Sequence, residues 1–313
     1  MTDLKHNKHT QLSICVENDS YHIIWYNRPI PFNLINKMIT ILLDKKNMYA
    51  TTNNQGIYII RKLHPDYKKY CDNFPLTYEI MKNVCMLHVI DHVNHTRTIL
   101  SSDDREAIVT VIENEKNNYV KIIRKLCCTY NIIPSEIAKV VLSNKGYNDM
   151  LITHLLDNTI NRSNILEIHL CELLEIVDKY DYTSKKYKEK TAKIAYEHEQ
   201  SVINYFKSCG IKLKSETEIV KEQLDEYGRA ISTPDIVFVD PVYINGTRVY
   251  WLDYKDYIGT NIPLLFRANI LQADKYVKRW GPGAFCYRQS FSDNILIPNV
   301  LLLDARSLPI NLS

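Results

Sequence analysis

The sequence predicts an α/β protein in two parts. Residues 1–180 read as an all-helical, helix-turn-helix-like region, and residues 181–313 as a mixed β-sheet flanked by helices. Three observations predict this. Six of the eight glycines lie at or after Gly210, which concentrates the tight turns of a sheet late in the chain. Before about residue 180 apolar residues recur at helical spacing, and afterwards they fall in short β-branched and aromatic runs. Between two of those runs stands Asn245-Gly246, the strongest short hairpin signal.

Residues 31–46 begin at a proline and carry Phe32, Ile35, Met38, Ile39 and Leu42 on one stripe, the pattern of an amphipathic helix. Residues 76–93 and 103–128 follow, the second opened by Ser101-Ser102-Asp103 with Glu106 in its first turn. Pro134-Ser135-Glu136 starts a short helix through Leu142, and helices near 147–157 and 163–179 complete a bundle. The helix ending near Cys128, the turn Tyr130-Asn131-Ile132-Ile133 and the next helix have helix-turn-helix proportions, which could set a helix in a DNA major groove. That second helix offers only Lys139 as a base, and helical hairpins of this kind are more often packing units. The expected order after Lys190 is α-β-β-β-α-β: helix 194–207, strands 211–218, 236–244 and 247–254, helix 266–279, and last strands at 284–291 and 300–303.

The chain has 313 residues, 45% hydrophobic and 24% charged, which is enough for two domains with a sizeable core and argues against disorder. A net charge of +3 is too small to mark a nucleic-acid binder by itself, so any phosphate-binding surface must be local. The candidates are the run Lys185, Lys186, Lys188, Lys190 and Lys193, interrupted by Glu189, and the group Lys275, Lys278 and Arg279. A charge run of this kind is more often a solvated helix face. The eight cysteines form no C-x-x-C pair, no signal peptide precedes the first helix candidate, and no apolar run reaches transmembrane length. The expectation is an intracellular protein with free thiols in a reducing compartment, nucleus or cytoplasm being left open.

Chemistry concentrates in residues 232–255. Thr233-Pro234-Asp235 opens the expected hairpin and Trp251-Leu252-Asp253-Tyr254-Lys255 closes it. With regular pairing from Asn245-Gly246, Asp235 faces away from Asp253. Pro241 cannot donate to the ladder and marks an edge or a bulge. One extra residue near Asp240-Pro241 would set Val237 against Asp253 and Asp235 against Lys255, so that Asp235, Asp253 and Lys255 share a face. Asp235 and Asp253 are hard oxygen ligands suited to Mg²⁺ or Mn²⁺, the Tyr254 carbonyl lies between the two motif side chains, and Lys255 could hold a scissile phosphate or the attacking water. Glu199 lies on the helix stripe of Val202, Ile203 and Phe206, where a carboxylate is costly to bury unless it meets a cation. Gln272 on the later helix could orient water or phosphate. From the residues alone, a metal nuclease and a structural salt-bridge cluster at a sheet end stand level.

These motifs resemble the PD-(D/E)XK nuclease superfamily, in its branch named for a T-P-D motif. The matching pieces are Glu197 to Glu199, Ser232 to Ile236, Tyr250 to Lys255, Gln272 and Arg279 to Gly283, in family order over roughly residues 190–303. Asp253 stands where a relative carries glutamate, and Ala195 where it carries glycine. The resemblance implies metal ligands Asp235 and Asp253, catalytic Lys255, an active-site acid at Glu199 and a polar contributor at Gln272. It also implies an endonuclease acting on DNA, branched or flapped forms included, in repair, recombination or replication. The helical half would then bind DNA or dock a protein partner, and a homodimer could place two sites across a duplex. The alternative is a nucleic-acid- or chromatin-associated binding protein that keeps the fold with little or no cleavage.

Other candidates weigh less. Cys85, His88, His92 and His95 line one helical stripe, longer than a single zinc ion spans. His198 reads as an exposed neighbour of Glu199, and Trp251 and Trp280 as core residues rather than base-stacking ones. The 22 tyrosines decide nothing by themselves.

Overall fold

The structure is a computed structural model that describes residues 12–42, parts of 77–87, and residues 100–114, 119–130, 132–181 and 184–312. The Cys85, His88, His92 and His95 stripe lies outside the described residues. The architecture is mixed α/β, with a seven-stranded sheet. The chain divides into two compact units, one made of Met1–Asn36 with Ile194–Ser313 and the other of Lys37–Lys193.

This division falls at 193/194 and groups residues 1–36 with the later part, whereas the sequence reading divides the chain at 180/181. The N-terminal region is not all-helical: β1 (Ser13–Glu17) and β2 (Ser20–Ile24) form an antiparallel pair, and β2 runs parallel to a strand from the far end of the sequence. Asn18 and Asp19 take the positive φ values, 48° and 57°, that their two-residue turn requires. Helix α1 (Phe32–Leu42) follows.

The Lys37–Lys193 unit contains α2 (Ser102–Asn114), α3 (Tyr119–Tyr130), α4 (Pro134–Asn144), α5 (Asp149–Leu156) and α6 (Ile168–Tyr180). The expected helix over 103–128 is described as two, α2 and α3. Helix α4 buries Ser135, Ile137, Ala138, Val140, Val141 and Leu142 and packs against α2, α3, α5 and α6. It is the central rod of the bundle. Lys139, the one base of this helix, is exposed and bonded to Glu136 at 2.7 Å. The buried Asp181 carboxylate accepts from the Ser135 N–H at 2.8 Å, and so caps α4 from a distant part of the chain.

In the other unit, strand order is β1-β2-β4-β5-β6-β7, with β3 also pairing β4. The later elements are α7 (Lys185–Ser208), β3 (Leu213–Ser215), α8 (Glu216–Tyr227), β4 (Ile236–Ile244), β5 (Thr247–Lys255), α9 (Pro263–Trp280), β6 (Gly283–Tyr287) and β7 (Val300–Asp304). Helix α8 replaces the end of the expected strand 211–218. Its signal is local: Ser215 and Glu218 form a capping box, and Gly228 ends the helix in the left-handed conformation.

Two cores flank the sheet. On one face Val202, Ile203 and Phe206 of α7 pack with Trp25, Phe238, Ile244 and Leu252. On the other, Ala273 and Tyr276 of α9 pack with Val237, Trp251, Phe285 and Tyr287. Trp251 is fully buried, and its indole N–H donates to the Gly281 carbonyl at 2.8 Å. Its register partner on β6 is Gly283, and a Cβ there would lie 2.0 Å from the indole ring. We expect Gly283→Ala to lower stability by at least about 1–3 kcal/mol through overpacking, read by chemical denaturation. At Gly246 a Cβ meets nothing within 4 Å but φ is +79°, so alanine there should cost only about 1 kcal/mol, from backbone strain alone.

Candidate active site

The hairpin positions the site. Ile244 pairs with Thr247 across Asn245-Gly246, and Val242 with Val249; beyond that the pairing shifts, to Val237 with Trp251 and Ile236 with Leu252. From 242 to 237 strand β4 takes five steps while β5 takes two, from 249 to 251, so the bulge at Pro241 absorbs three residues rather than the expected one. The released backbone turns to the other side. The Val239 N–H donates to the Lys212 carbonyl at 2.9 Å, and the Lys212 N–H donates to the Asp240 carboxylate at 2.8 Å.

The reversal of facing falls on β5: Val249 packs in the core beneath α7 and Trp251, two residues on, in the core beneath α9, while Ile236, Phe238, Val242 and Ile244 of β4 all keep to the α7 side. Extending the observed register by one residue sets Asp235 opposite Asp253 instead of Lys255. One step further, Pro234 faces Tyr254 and has no N–H to offer its carbonyl. The Tyr254 N–H instead donates to Asp235 Oδ2 at 2.6 Å.

Asp253 and Lys255 are both buried and form an ion pair. Lys255 Nζ also donates to Gln272 Oε1 at 2.7 Å and lies 4.8 Å from the centre of the Phe285 ring. Gln272 Nε2 donates to Asp253 Oδ2 at 3.2 Å and to the Tyr276 hydroxyl at 2.8 Å. That hydroxyl donates to the Thr233 carbonyl at 3.1 Å, so Gln272 and Tyr276 join both hairpin motifs to α9. Burial lowers the Lys255 pKa, but Asp253, Tyr257 and Asp235 outweigh it and hold the group charged, above the usual lysine range.

The carboxylates repel one another. Burial, then Glu216, then Asp253 push Glu199 up to about 7. Burial first, then Asp253 and Glu199, raise Asp235 well above the carboxylate range, against the opposing pull of the Tyr254 N–H and Lys255. The acidic side chains here offer only oxygen atoms as ligands, and carboxylates gathered in this way suit a hard divalent cation. Among the described residues, no three carboxylate, imidazole or thiol groups already stand as a metal cluster. A Mg²⁺-type site asks for less, one or two carboxylates with water completing the shell, and Asp235 and Asp253 are two such carboxylates.

One support escaped the sequence reading, which also misjudged the burial of another. Gln223 of α8 is buried; its Nε2 donates to the Ser232 carbonyl at 2.7 Å, and its Oε1 accepts from the N–H groups of Ile231 at 2.6 Å and Ser232 at 3.0 Å. It moulds the loop that enters Thr233-Pro234-Asp235. His198 is buried rather than exposed, with Nδ1 2.6 Å from Asp256 Oδ1, an oxygen that also accepts from the Tyr254 hydroxyl at 3.1 Å and ion-pairs with Arg288, whose Nε lies 3.0 Å away. This contact ties α7 to the end of β5, one residue from Glu199 and one from Lys255.

The proposed phosphate-contacting residues fall in both compact units. Lys185, Lys186, Lys188, Lys190 and Lys193 are exposed on the first half of α7, within the other compact unit, and Lys185 lies 3.7 Å from Glu189. Lys275, Lys278 and Arg279 are exposed on α9. Lys278 pairs with Asp274 at 2.6 Å, and Arg279 stacks between Tyr227 and Trp280. The described thiols Cys15, Cys171, Cys209 and Cys286 are free, and no described helix is long and apolar enough to cross a membrane.

Residues 167–306, which include every element of this site, match the family described as a protein of unknown function with a TPD sequence motif. The chain is also 28% identical over 208 residues to an uncharacterized protein of Acanthamoeba polyphaga mimivirus, an alignment spanning 62% of this chain and 72% of that protein.

Because the Glu199 pKa in the fold, about 7, stands above its ordinary 4.5, the native state binds that proton more tightly than the unfolded chain does. Its contribution to stability is complete below the unfolded value and is lost as the pH rises through the folded one. In EDTA, thermal stability should therefore decline between about pH 4.5 and 7, with Asp235 adding in the same direction. Glu199→Gln should flatten that decline and exceed wild type above pH 7. Parallel melting profiles for the two proteins would refute the assignment.

Proposed function

We propose that this chain is a divalent-metal-dependent endonuclease of the PD-(D/E)XK type that hydrolyses phosphodiester bonds in DNA. One observation carries the reading: a single irregular hairpin sets Asp235 across from Asp253, and Lys255 and Gln272 close on the same carboxylate. The match to a TPD-motif family over the same residues supports it, as does the resemblance of these motifs to the superfamily.

Asp235, Asp253 and the Tyr254 carbonyl would hold Mg²⁺ or Mn²⁺, with Glu199 beside them. When bound, the ion supplies Lewis acidity toward the phosphate and lowers the pKa of water. The chain's own groups do the rest. Lys255 stays charged, as a cation facing phosphate oxygens must, and Gln272 fixes its reach through Oε1. Glu199, with a pKa of about 7, can take up or release a proton near neutrality. Gln223 and Tyr276 hold the backbone of Ser232 and Thr233, so Asp235 enters the site from a rigid loop.

Plasmid and oligonucleotide DNA, including branched and flapped forms, incubated with Mg²⁺ or Mn²⁺ should be cleaved by wild type, and EDTA should abolish the cleavage. Asp253→Ala and Lys255→Ala should each reduce the rate by about a hundredfold or more. Cleavage that survives both substitutions would remove the site assignment. DNA binding without cleavage in wild type would favour a binding protein that has kept the fold.

A further inference from the structure

Beyond the acidic site, the same compact unit carries a run of flat side chains that the reaction does not use. Tyr243 and Arg248 are cross-strand partners on β4 and β5, and Arg248 lies 5.5 Å from the Tyr243 ring centre and 4.8 Å from that of Tyr250. His22 on β2 stacks on Tyr243 at 5.0 Å with 6° between the planes. Their strand neighbours Val242, Ile244 and Val249 enter the core beneath α7, so this row lies on the opposite face of the sheet.

The pattern repeats beyond Tyr250. The Tyr250 ring abuts Gly281, where a Cβ would lie 3.1 Å away, and its N–H donates to the Pro282 carbonyl at 2.9 Å. The two preceding residues continue the stack: Arg279 lies 5.2 Å from the Trp280 ring centre and 5.0 Å from that of Tyr227. Tyr227 is 44% exposed and Tyr250 38%. The Trp280 indole N–H donates to the Ser232 carbonyl at 3.3 Å, which joins this ledge to the loop that carries Asp235.

Two features point to the ledge's occupant. Rings and guanidinium groups alternate, as bases and phosphates do along an unpaired strand. Among the described residues neither Arg248 nor Arg279 pairs with a carboxylate, whereas neighbouring Lys278 does. Two arginines, each within 5.5 Å of two aromatic ring centres and without a carboxylate partner among the described residues, complement an anionic, planar ligand. A protein helix or a duplex, whose bases are already stacked, would use the rings poorly.

We propose that His22, Tyr243, Arg248, Tyr250, Arg279, Trp280 and Tyr227 form a docking ledge for a single-stranded segment of nucleic acid. Its bases stack on the exposed rings, and its backbone is drawn by the two arginines. The ledge would deliver a strand toward Thr233-Pro234-Asp235, a role that rests on the nuclease reading, while the binding itself does not.

The experiment is fluorescence anisotropy in EDTA, with labelled oligothymidylate and a duplex of the same length, so that no cleavage enters. Wild type should prefer the single strand, and Tyr250→Ala should weaken it by about 5- to 150-fold, the range for one lost stacking contact. Tyr250→Phe should bind as wild type, and Arg248→Gln should reduce the salt dependence. Should Tyr250→Ala fail to fold, Tyr227→Ala on the helix surface tests the other end of the ledge. Equal affinity for duplex and single strand, or unchanged binding in the alanine variants, would overturn the proposal. A protein that binds the single strand but cleaves nothing would overturn the nuclease reading and leave the ledge standing.

Discussion

Everything at the acidic site depends on the interruption of the β4–β5 ladder. Had the pairing continued from Asn245-Gly246 without a break, Asp235 would face away from Asp253, and the tyrosine–arginine row would not sit beside the site's entry loop in the same way. The interruption is tolerated because its backbone groups find partners outside the hairpin. Lys212 supplies both an acceptor and a donor to the stretch before Pro241, and Pro241 itself has no N–H to satisfy. An irregular strand inside a buried sheet is costly only when its amides are stranded.

The two units treat buried charge differently. In the helical unit Arg162 meets Asp178 through two bonds, at 2.7 and 3.2 Å, and also bonds the Leu155 carbonyl, so its charge is fully engaged. Around Asp235 and Glu199 the balance is left unfavourable, with acids raising one another and a single lysine among them. That imbalance is held in place by neutral or locally balanced supports: Gln223 on the entry loop, Tyr276 and Gln272 on α9, and His198 with Asp256 on the opposite side. The fold spends stability at one location and recovers it in the surrounding hydrogen bonds.

How much of this is legible in the sequence depends on how local each signal is. The hairpin, its turn and the parity problem at Asp235 could all be read from neighbouring residues, and Glu199 and Gln272 follow from helical spacing. The size of the bulge could not, because it depends on β3 pairing along one side of β4. Helix α8 has a weak apolar stripe, with only Ile219 and Gln223 buried, yet Ser215-x-x-Glu218 announces its start to a reader who looks for caps. Strands β1 and β2 are short and half-polar, and they become strands through a partner more than two hundred residues away. The burial of α4 is likewise a property of the bundle, invisible in its own eleven residues.

That distant partner also orders events in time. Tyr21, His22 and Ile23 pair with Val242, Tyr243 and Ile244, so β1 and β2 have no place in the sheet until most of the sequence has been synthesised. The helices between them satisfy their hydrophobic faces through nearer neighbours and are free to pack first. These strands thus leave a ribosome well before the partner that fixes them, and settle only after it. Until they do, the 242–244 stretch of β4 keeps an open edge beyond the part that β3 covers, and in that interval it is exposed to mispairing with copies of this chain.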